Sequence, residues 1–301
     1  MKCIHPSLLL LGILALLLTC TLPAAASAGT ADWENGTVRA DGYGAVPAAQ
    51  SGTGQAQLLA RRAAIIDAWR NLAEAVQGVQ VDAETTVHDM SINSDSIRTR
   101  VSATVRGARI VSSEMQADGV CHVVMEIPLY GVQGSVASAV LSSASQPEPF
   151  LESSPSTPAS GTTAGTASGT VPAGTTTGSS AAEVPADVQL PAVGTYTGLI
   201  VDCRGMQLHP AMSPVIRDAG GAPIYGYRNL DSAKVIANGM AAYASSEDMA
   251  ARAGSHPLLV RAVRLDNHNA NPVLSVEDAN RVLVENRASG FLDHCAVVFL
   301  R

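Results

Sequence analysis

Lysine is almost missing from this chain. Only Lys2 and Lys234 occur among 301 residues, the other cations are arginines, and the formal net charge is −7. No basic block exists, which excludes the electrostatic footprint of a nucleic-acid binder. Aromatic residues make up 4% of the chain, too few for a base-stacking platform. Cysteine is scarce too. Beyond residue 28 only Cys121, Cys203 and Cys295 remain, an odd number that rules out a complete intramolecular disulfide framework. Cys203 and Cys295 each lie beside an apolar run in the same region and form a candidate disulfide. The alternative is that all three are small buried hydrophobes. The sequence has no His-Glu-x-x-His, no Gly-x-Ser-x-Gly, no Cys-x-x-Cys and no phosphate-binding glycine loop followed by lysine. Nothing therefore points to a catalytic residue, a metal ligand set or a cofactor.

One long apolar run is present, and it stands at the start. Lys2 precedes the run Leu8–Leu18, and Ala26-Ser27-Ala28 follows. This is the pattern of a signal peptide over residues 1–28, with cleavage after Ala28. The run is shorter than the ~20 apolar residues that span a bilayer. Leu17-Leu18-Thr19 before Cys20 resembles a lipobox, with threonine where Gly, Ala or Ser is usual. Acylation of Cys20 is the competing outcome, and an uncleaved anchor is a third. Membrane association is expected only if Cys20 is lipidated or the signal is retained.

Residues 141–192 are almost wholly Ser, Thr, Gly, Ala and Pro. Such a stretch has too little apolar bulk to offset the entropy of ordering it. It reads as a disordered linker between two small domains, at 31–140 and 193–301. The expected fold class is α+β: a helix laid on an antiparallel sheet, then the linker, then a small α/β domain.

In the first domain, Trp33–Ala45 reads as a short strand ending in a Gly42-Tyr43-Gly44 turn. Leu58, Ile65, Trp69, Leu72 and Val76 fall at helical spacing, with Leu59, Ala63 and Ile66 beside them, and predict a broad buried stripe. Arg61, Arg62, Asp67, Arg70, Asn71 and Glu74 fill the other face. They form either a solvated surface, or one in which Arg62 or Asp67 makes a buried ion pair or subunit contact. Gly78 is placed to end the helix in a left-handed conformation. Val79–Val81, Thr85–Val87 and Val101–Val105 read as strands, with a bulge at Gly107. Asp118-Gly119 predicts a hairpin turn. The returning strand puts Cys121, Val123, Met125 and Ile127 on one face, which predicts a buried Cys121.

These residues carry a family resemblance. Gln57-Leu58-Leu59-Ala60-Arg61-Arg62-Ala63-Ala64-Ile65-Ile66-Asp67-Ala68-Trp69-Arg70-Asn71-Leu72-Ala73-Glu74, then Gly78-Val79-Gln80-Val81, Val105-Arg106-Gly107-Ala108, Asp118-Gly119 and Ile127-Pro128-Leu129-Tyr130-Gly131 resemble the lipoprotein-20 (FlgP-like) family. The same stretch is similar to the N-terminal domain of the flagellar assembly protein FlgT. The resemblance covers about residues 33–131. It implies an envelope protein that builds assemblies at the periplasmic face of the outer membrane, with no catalytic residues to carry over. The chain departs from it in its lipobox and in its added C-terminal domain.

In the second domain, Gly198–Asp202 reads as a buried strand ending in an acid, and Ile224-Tyr225 and Leu258–Val263 as further strands. Ser245–Gly254 is expected to be a helix, with Ser245 and Asp248 as a capping box. Ser275 with Asp278 opens another helix, from Val276 to about Asn286. Ala296–Leu300 closes the chain as a strand that inserts into a sheet centre. Thr197–Gly205, Pro210–Pro214 and Ile224–Gly226 resemble a unit that accompanies the first domain in some exported proteins. Asp202 and Arg204 follow a strand end, where ligand sites gather in open α/β sheets. With His209 they form a candidate polar pocket, against the plainer reading of an Asp–Arg pair that holds a loop. His268 lies in a polar turn. His294 beside Cys295 is not expected to act as a pair, since neighbouring residues in a strand diverge.

The expectation is an exported, non-enzymatic protein of the periplasm or the periplasmic face of the outer membrane. Its expected partners are other envelope or flagellar basal-body proteins, or further copies of itself. The alternative is a periplasmic ligand-binding module or hydrolase seated around Asp202, Arg204 and His209.

Overall fold

Strict alternation in the sequence becomes alternation in space at Val120–Pro128 (β4), where Cys121, Val123, Met125 and Ile127 are all buried. β4 pairs antiparallel with Arg109–Met115 (β3) through a turn at Gly119, whose φ is +83°. The computed structural model describes residues 29–46, 53–141, 146–152 and 191–301. The leader with Cys20 and Ala28, and residues 142–145 and 153–190 of the low-complexity stretch, lie outside the described residues. The chain is α+β: helices with an antiparallel sheet in its N-terminal part, and a sheet-rich C-terminal part.

The chain divides into two compact units. The first contains the described residues up to Ala31, with Val38–Gln77 and Val105–Ile127; the second contains Asp32–Thr37, Gly78–Thr104 and the described residues of Pro128–Arg301.

In the first unit, Thr30–Asp32 (β1), Thr37–Ala45 (β2), β4 and β3 form a sheet in the order β1-β2-β4-β3. Gly54–Gln77 (α1) lies on it. Gly42 and Gly44 do not make the expected turn. They sit inside β2, buried, and a Cβ on either would overlap the backbone of α1 at Ala60, Ala64 or Ala68. The opposite sheet face is polar. Glu126, 6% exposed, receives Arg39 at 2.5 Å and Arg109 at 2.7 Å. His122 lies 2.6 Å from Asp41 and stacks on Tyr43.

One expected strand, Thr85–Val87, runs into a helix, and another, Val101–Val105, is helical. Val87–Asn93 (α2) begins at Thr86, whose side chain accepts from the Asp89 amide while Asp89 accepts from the Thr86 amide, a reciprocal cap. Of the expected strands Val79–Val81 and Thr85–Val87 only an isolated bridge, Gln80 to Thr86, forms. Val101–Val105 belongs to Asp95–Arg106 (α3). Val101 and Val105 are four apart, so their burial suits a helix as well as a strand. The bulge falls at Ile110–Ser112 and not at Gly107. Gly78 follows α1 but is not among the glycines of positive φ.

The second unit holds two sheets. Gly198–Asp202 (β5), Ala242–Ala244 (β8), Pro257–Arg261 (β9) and Val297–Leu300 (β12) run parallel in the order β8-β12-β5-β9. β5 and β12 read as continuous apolar runs because parallel strands are covered on both faces. The terminal strand β12 sits at the sheet centre, as its composition predicts. Ile216–Asp218 (β6), Pro223–Tyr225 (β7), Arg264–Asp266 (β10) and Asn271–Leu274 (β11) form the other sheet, ordered β10-β11-β6-β7. Val136–Val140 (α4) and Ser232–Asn238 (α5) are short. Val276–Ser289 (α6) starts at Ser275, which accepts from the Asp278 amide, and ends at Gly290 with φ +67°. The helix expected over Ser245–Gly254 is instead two 3-10 turns, Glu247–Met249 and Ala251–Ala253.

This unit is assembled from both sides of the low-complexity stretch. Met212 and Ser213 donate their amides to the Gln80 and Val81 carbonyls at 3.0 and 2.8 Å. The Gly131 amide donates to Ile236 at 2.8 Å, and Trp33 meets Tyr243 edge to face. The Tyr243 hydroxyl serves both backbone groups of Ala211, donating to its carbonyl and accepting from its amide. Residues 146–152 and residues from 191 onward belong to the same unit.

Candidate interaction surface

Asp202 ends β5 at the carboxyl edge of the parallel sheet, where the sequence placed a polar pocket. Its carboxylate accepts from the Arg204 amide at 3.0 Å and from the Arg204 guanidinium at 2.9 and 2.8 Å. These Arg204 hydrogen bonds hold the Asp202 carboxyl below its ordinary range against the opposing effect of burial. Arg204 also reaches to 3.5 Å from Glu247. His209 is exposed, and its amide donates to the Asn269 carbonyl at 2.9 Å. No hydrogen bond among the described residues joins the His209 ring to Asp202 or Arg204. A carboxylate already gripped by a permanent cation is poorly poised to move a proton.

The three cysteines are buried and free. The candidate Cys203–Cys295 disulfide is not formed. Burial, followed by the neighbouring Asp202 charge, pushes the Cys203 thiol up to about 12. Burial also raises Cys295. Both are therefore poor nucleophiles at neutral pH. His294 is exposed while Cys295 is buried; the two lie in a turn before β12 and not in the strand that was expected to separate them. Among the described residues no three His, Cys, Asp or Glu side chains are grouped to hold a metal ion.

The surface that stands out lies on the first unit. α1 buries Ala56, Ala60, Ala64, Ala68, Leu72 and Val76, a line at every fourth residue. Of the stripe expected from hydropathy, only Leu72 and Val76 are on that line. Leu58 is 63% exposed, Ile66 55%, Leu59 45% and Trp69 39%. The cause is in another element. Gly42 and Gly44 let the helix backbone rest on the strand backbone, and only alanine fits such an approach. The bulky residues are left exposed.

Polar side chains of α1 fix this arrangement. Asp67 accepts from the Tyr43 amide at 3.0 Å, and Asn71 donates to the Asp41 carbonyl at 2.7 Å, so the helix satisfies backbone groups of β2. Asp67 also lies 3.7 Å from Arg70. Arg62 is exposed. Arg61 bonds Ser113 of β3 at 3.1 Å. Beside it, a groove of about 610 Å³ is lined by Leu58, Arg61, Ser113, Met115 and Cys121 among others. β3 is the end strand of its sheet, and it exposes Ile110, Val111 and Met115. Bulky apolar residues are thus exposed on both the helix and the end strand, and Leu58 and Met115 line the same groove; exposed apolar clusters of this kind mark interaction sites.

The residues of this surface fall within one of two family matches. Residues 32–128 match the LPP20 lipoprotein family model. That match suggests an exported envelope lipoprotein. Residues 198–301 match the model for the second domain of Treponema pallidum Tp0624. No curated protein matches the chain. Among the described residues no helix is long and apolar enough to cross a membrane.

Proposed function

We propose that this chain is a non-enzymatic structural component of the cell envelope that joins an assembly at the periplasmic face of the outer membrane through its first unit. The carrying observation is the outward face of α1, with Leu58, Leu59, Ile66 and Trp69 exposed beside the end strand β3. The LPP20 match over residues 32–128 supports an envelope setting. A flagellar assembly is the narrower form of this reading, and it rests on the family resemblance. A second copy of the chain is the first partner to test, because a face of this kind is self-complementary when two copies meet about a two-fold axis. The chain from Gly29 onward, measured by light scattering after size exclusion, should associate reversibly. The double variant Leu59→Glu, Ile66→Glu should be monomeric with an unchanged fold. A strict monomer at high concentration that also recovers no envelope component from cross-linked cells would overturn the reading.

The rival, a ligand-binding module or hydrolase around Asp202, Arg204 and His209, draws on the position of Asp202 at the carboxyl edge of a parallel sheet. The Arg204 grip on that carboxylate counts against it. Alanine at Asp202 should lower the melting temperature. Loss of a measured ligand or activity with unchanged melting would favour the rival.

A further inference from the structure

A short piece of the low-complexity region is seated on the second unit as a peptide is seated on a receptor. Residues 146–152 read Gln-Pro-Glu-Pro-Phe-Leu-Glu. A Pro-x-Pro segment has one backbone donor, at the middle residue, and presents its carbonyls outward. Both features are met. The Glu148 amide donates to the Arg228 carbonyl at 2.8 Å. The Asn229 side-chain amide donates to the Glu148 and Pro149 carbonyls, at 3.3 and 3.2 Å. Phe150 then stacks on Tyr225, with ring planes 1° apart and centroids at 6.4 Å. Tyr225 is wholly buried otherwise and ends the edge strand β7.

The site is larger than its occupant. A cavity of about 760 Å³ runs beside the segment, and Glu148, Pro149 and Leu151 form part of its wall. Val81, Met90, Leu141 and Tyr227 supply apolar lining, and Asp82, Arg217 and Arg228 supply charge of both signs.

We propose that the groove formed by Tyr225 and Arg228-Asn229 is a recognition site for extended Pro-acid-Pro-aromatic peptides, and that residues 146–152 are its occupant in cis. The aromatic anchor gives the affinity and the Asn229 fork gives the proline register, a division of labour found where aromatic grooves read polyproline-type segments. Only residues 142–145 separate Leu141 from Gln146, so the attached segment acts as a competitor at an effective concentration of about millimolar. A free peptide of the same sequence should therefore meet a filled groove in the native chain and an emptied one in Phe150→Ala.

The test uses a fluorescent peptide spanning residues 146–152 and the chain from Gly29 onward. Anisotropy should show saturable binding to Phe150→Ala, about tenfold or more weaker binding to the native chain, and none when Asn229→Ala is added. A peptide with alanine in place of its phenylalanine should not bind. Amide exchange gives a reading that needs no added peptide: Glu148 should be protected in the native chain and unprotected in Phe150→Ala. Absence of saturable binding to a folded Phe150→Ala chain overturns the proposal. So does equal binding of a scrambled peptide, or an unprotected Glu148 amide in the native chain.

Discussion

Gly42 and Ala68 meet backbone to backbone. A methyl group on Gly42 would overlap the Ala68 amide nitrogen and come within 2.6 Å of its side-chain carbon. The neighbour is helix backbone and not a flexible side-chain end, so it cannot swing aside. Gly42→Ala should therefore destabilise by about 1–3 kcal/mol or more, the range for overpacking a close contact. Thermal unfolding of the variant measures this. A melting temperature equal to that of the native chain would mean that helix and strand are not in contact there.

Stability should respond to α1 substitutions in the reverse of what hydropathy suggests. Ala64→Leu places bulk on the buried face and should cost about 1–3 kcal/mol. Ile66→Ser removes an exposed isoleucine and should change stability by about 0.5 kcal/mol or less. Urea unfolding of the two variants compares them directly. The reverse ranking would place Ile66 on the sheet side.

Glu126 gives the first unit an acid-sensitive clamp. Burial works to raise its pKa, but the hydrogen bonds from Arg109 and Arg39 outweigh burial and lower it from its usual 4.5. A carboxyl depressed in the folded state stabilises above its unfolded value and loses that stabilisation as pH falls through the folded value. The native chain should therefore exceed Glu126→Gln in stability at neutral pH, and the gap should narrow below about pH 4.5. Denaturant melts at several pH values report it. A gap that stays constant into acid would remove the clamp.

The thiols should be silent until the fold opens. Cys121, Cys203 and Cys295 are buried, and burial lifts Cys203 and Cys295 further from thiolate formation. In a chain beginning at Gly29, a thiol reagent at pH 8 should label none of the three before denaturation and all three after it. Fast labelling of any one in the native protein would contradict its burial. Failure to label Cys203 and Cys295 after denaturation without reductant would mean that they are bridged.

Features set by near neighbours along the chain were legible from the residues. The alternation of Cys121, Val123, Met125 and Ile127 chose the buried face of β4. Asp118-Gly119 named its turn, Ser275 with Asp278 named the start of α6, and the run ending at Leu300 named a central strand. Thr86-x-x-Asp89 carried an equally local cap signal, yet β-branched Thr85, Thr86 and Val87 pulled the reading toward a strand. At Val101 and Val105 a spacing of four satisfies both periods, so the pattern alone could not decide between them.

The candidate site was legible only in part. The local pair Asp202 and Arg204 does close on itself, two residues apart, while His209 stays outside it. The interaction face was missed because its cause lies elsewhere. Hydropathy within residues 54–77 points to the bulky side of α1, whereas the covered side is the alanine line at every fourth residue; Gly42 and Gly44 decide it by admitting alanine and excluding leucine.

By itself the sequence determined which stretches could fold, the periods of most strands and helices, and the acidic, lysine-poor character of the chain. Tertiary structure alone decided which face of α1 is exposed and which segments share a unit. Periodicity can mark an apolar face, but the depth of a contact depends on the residue opposite. Likewise composition sees residues 141–192 as one tether, whereas the Glu148 amide, the Glu148 and Pro149 carbonyls and the Phe150 ring bind the start of that stretch to a surface built by Tyr225, Arg228 and Asn229.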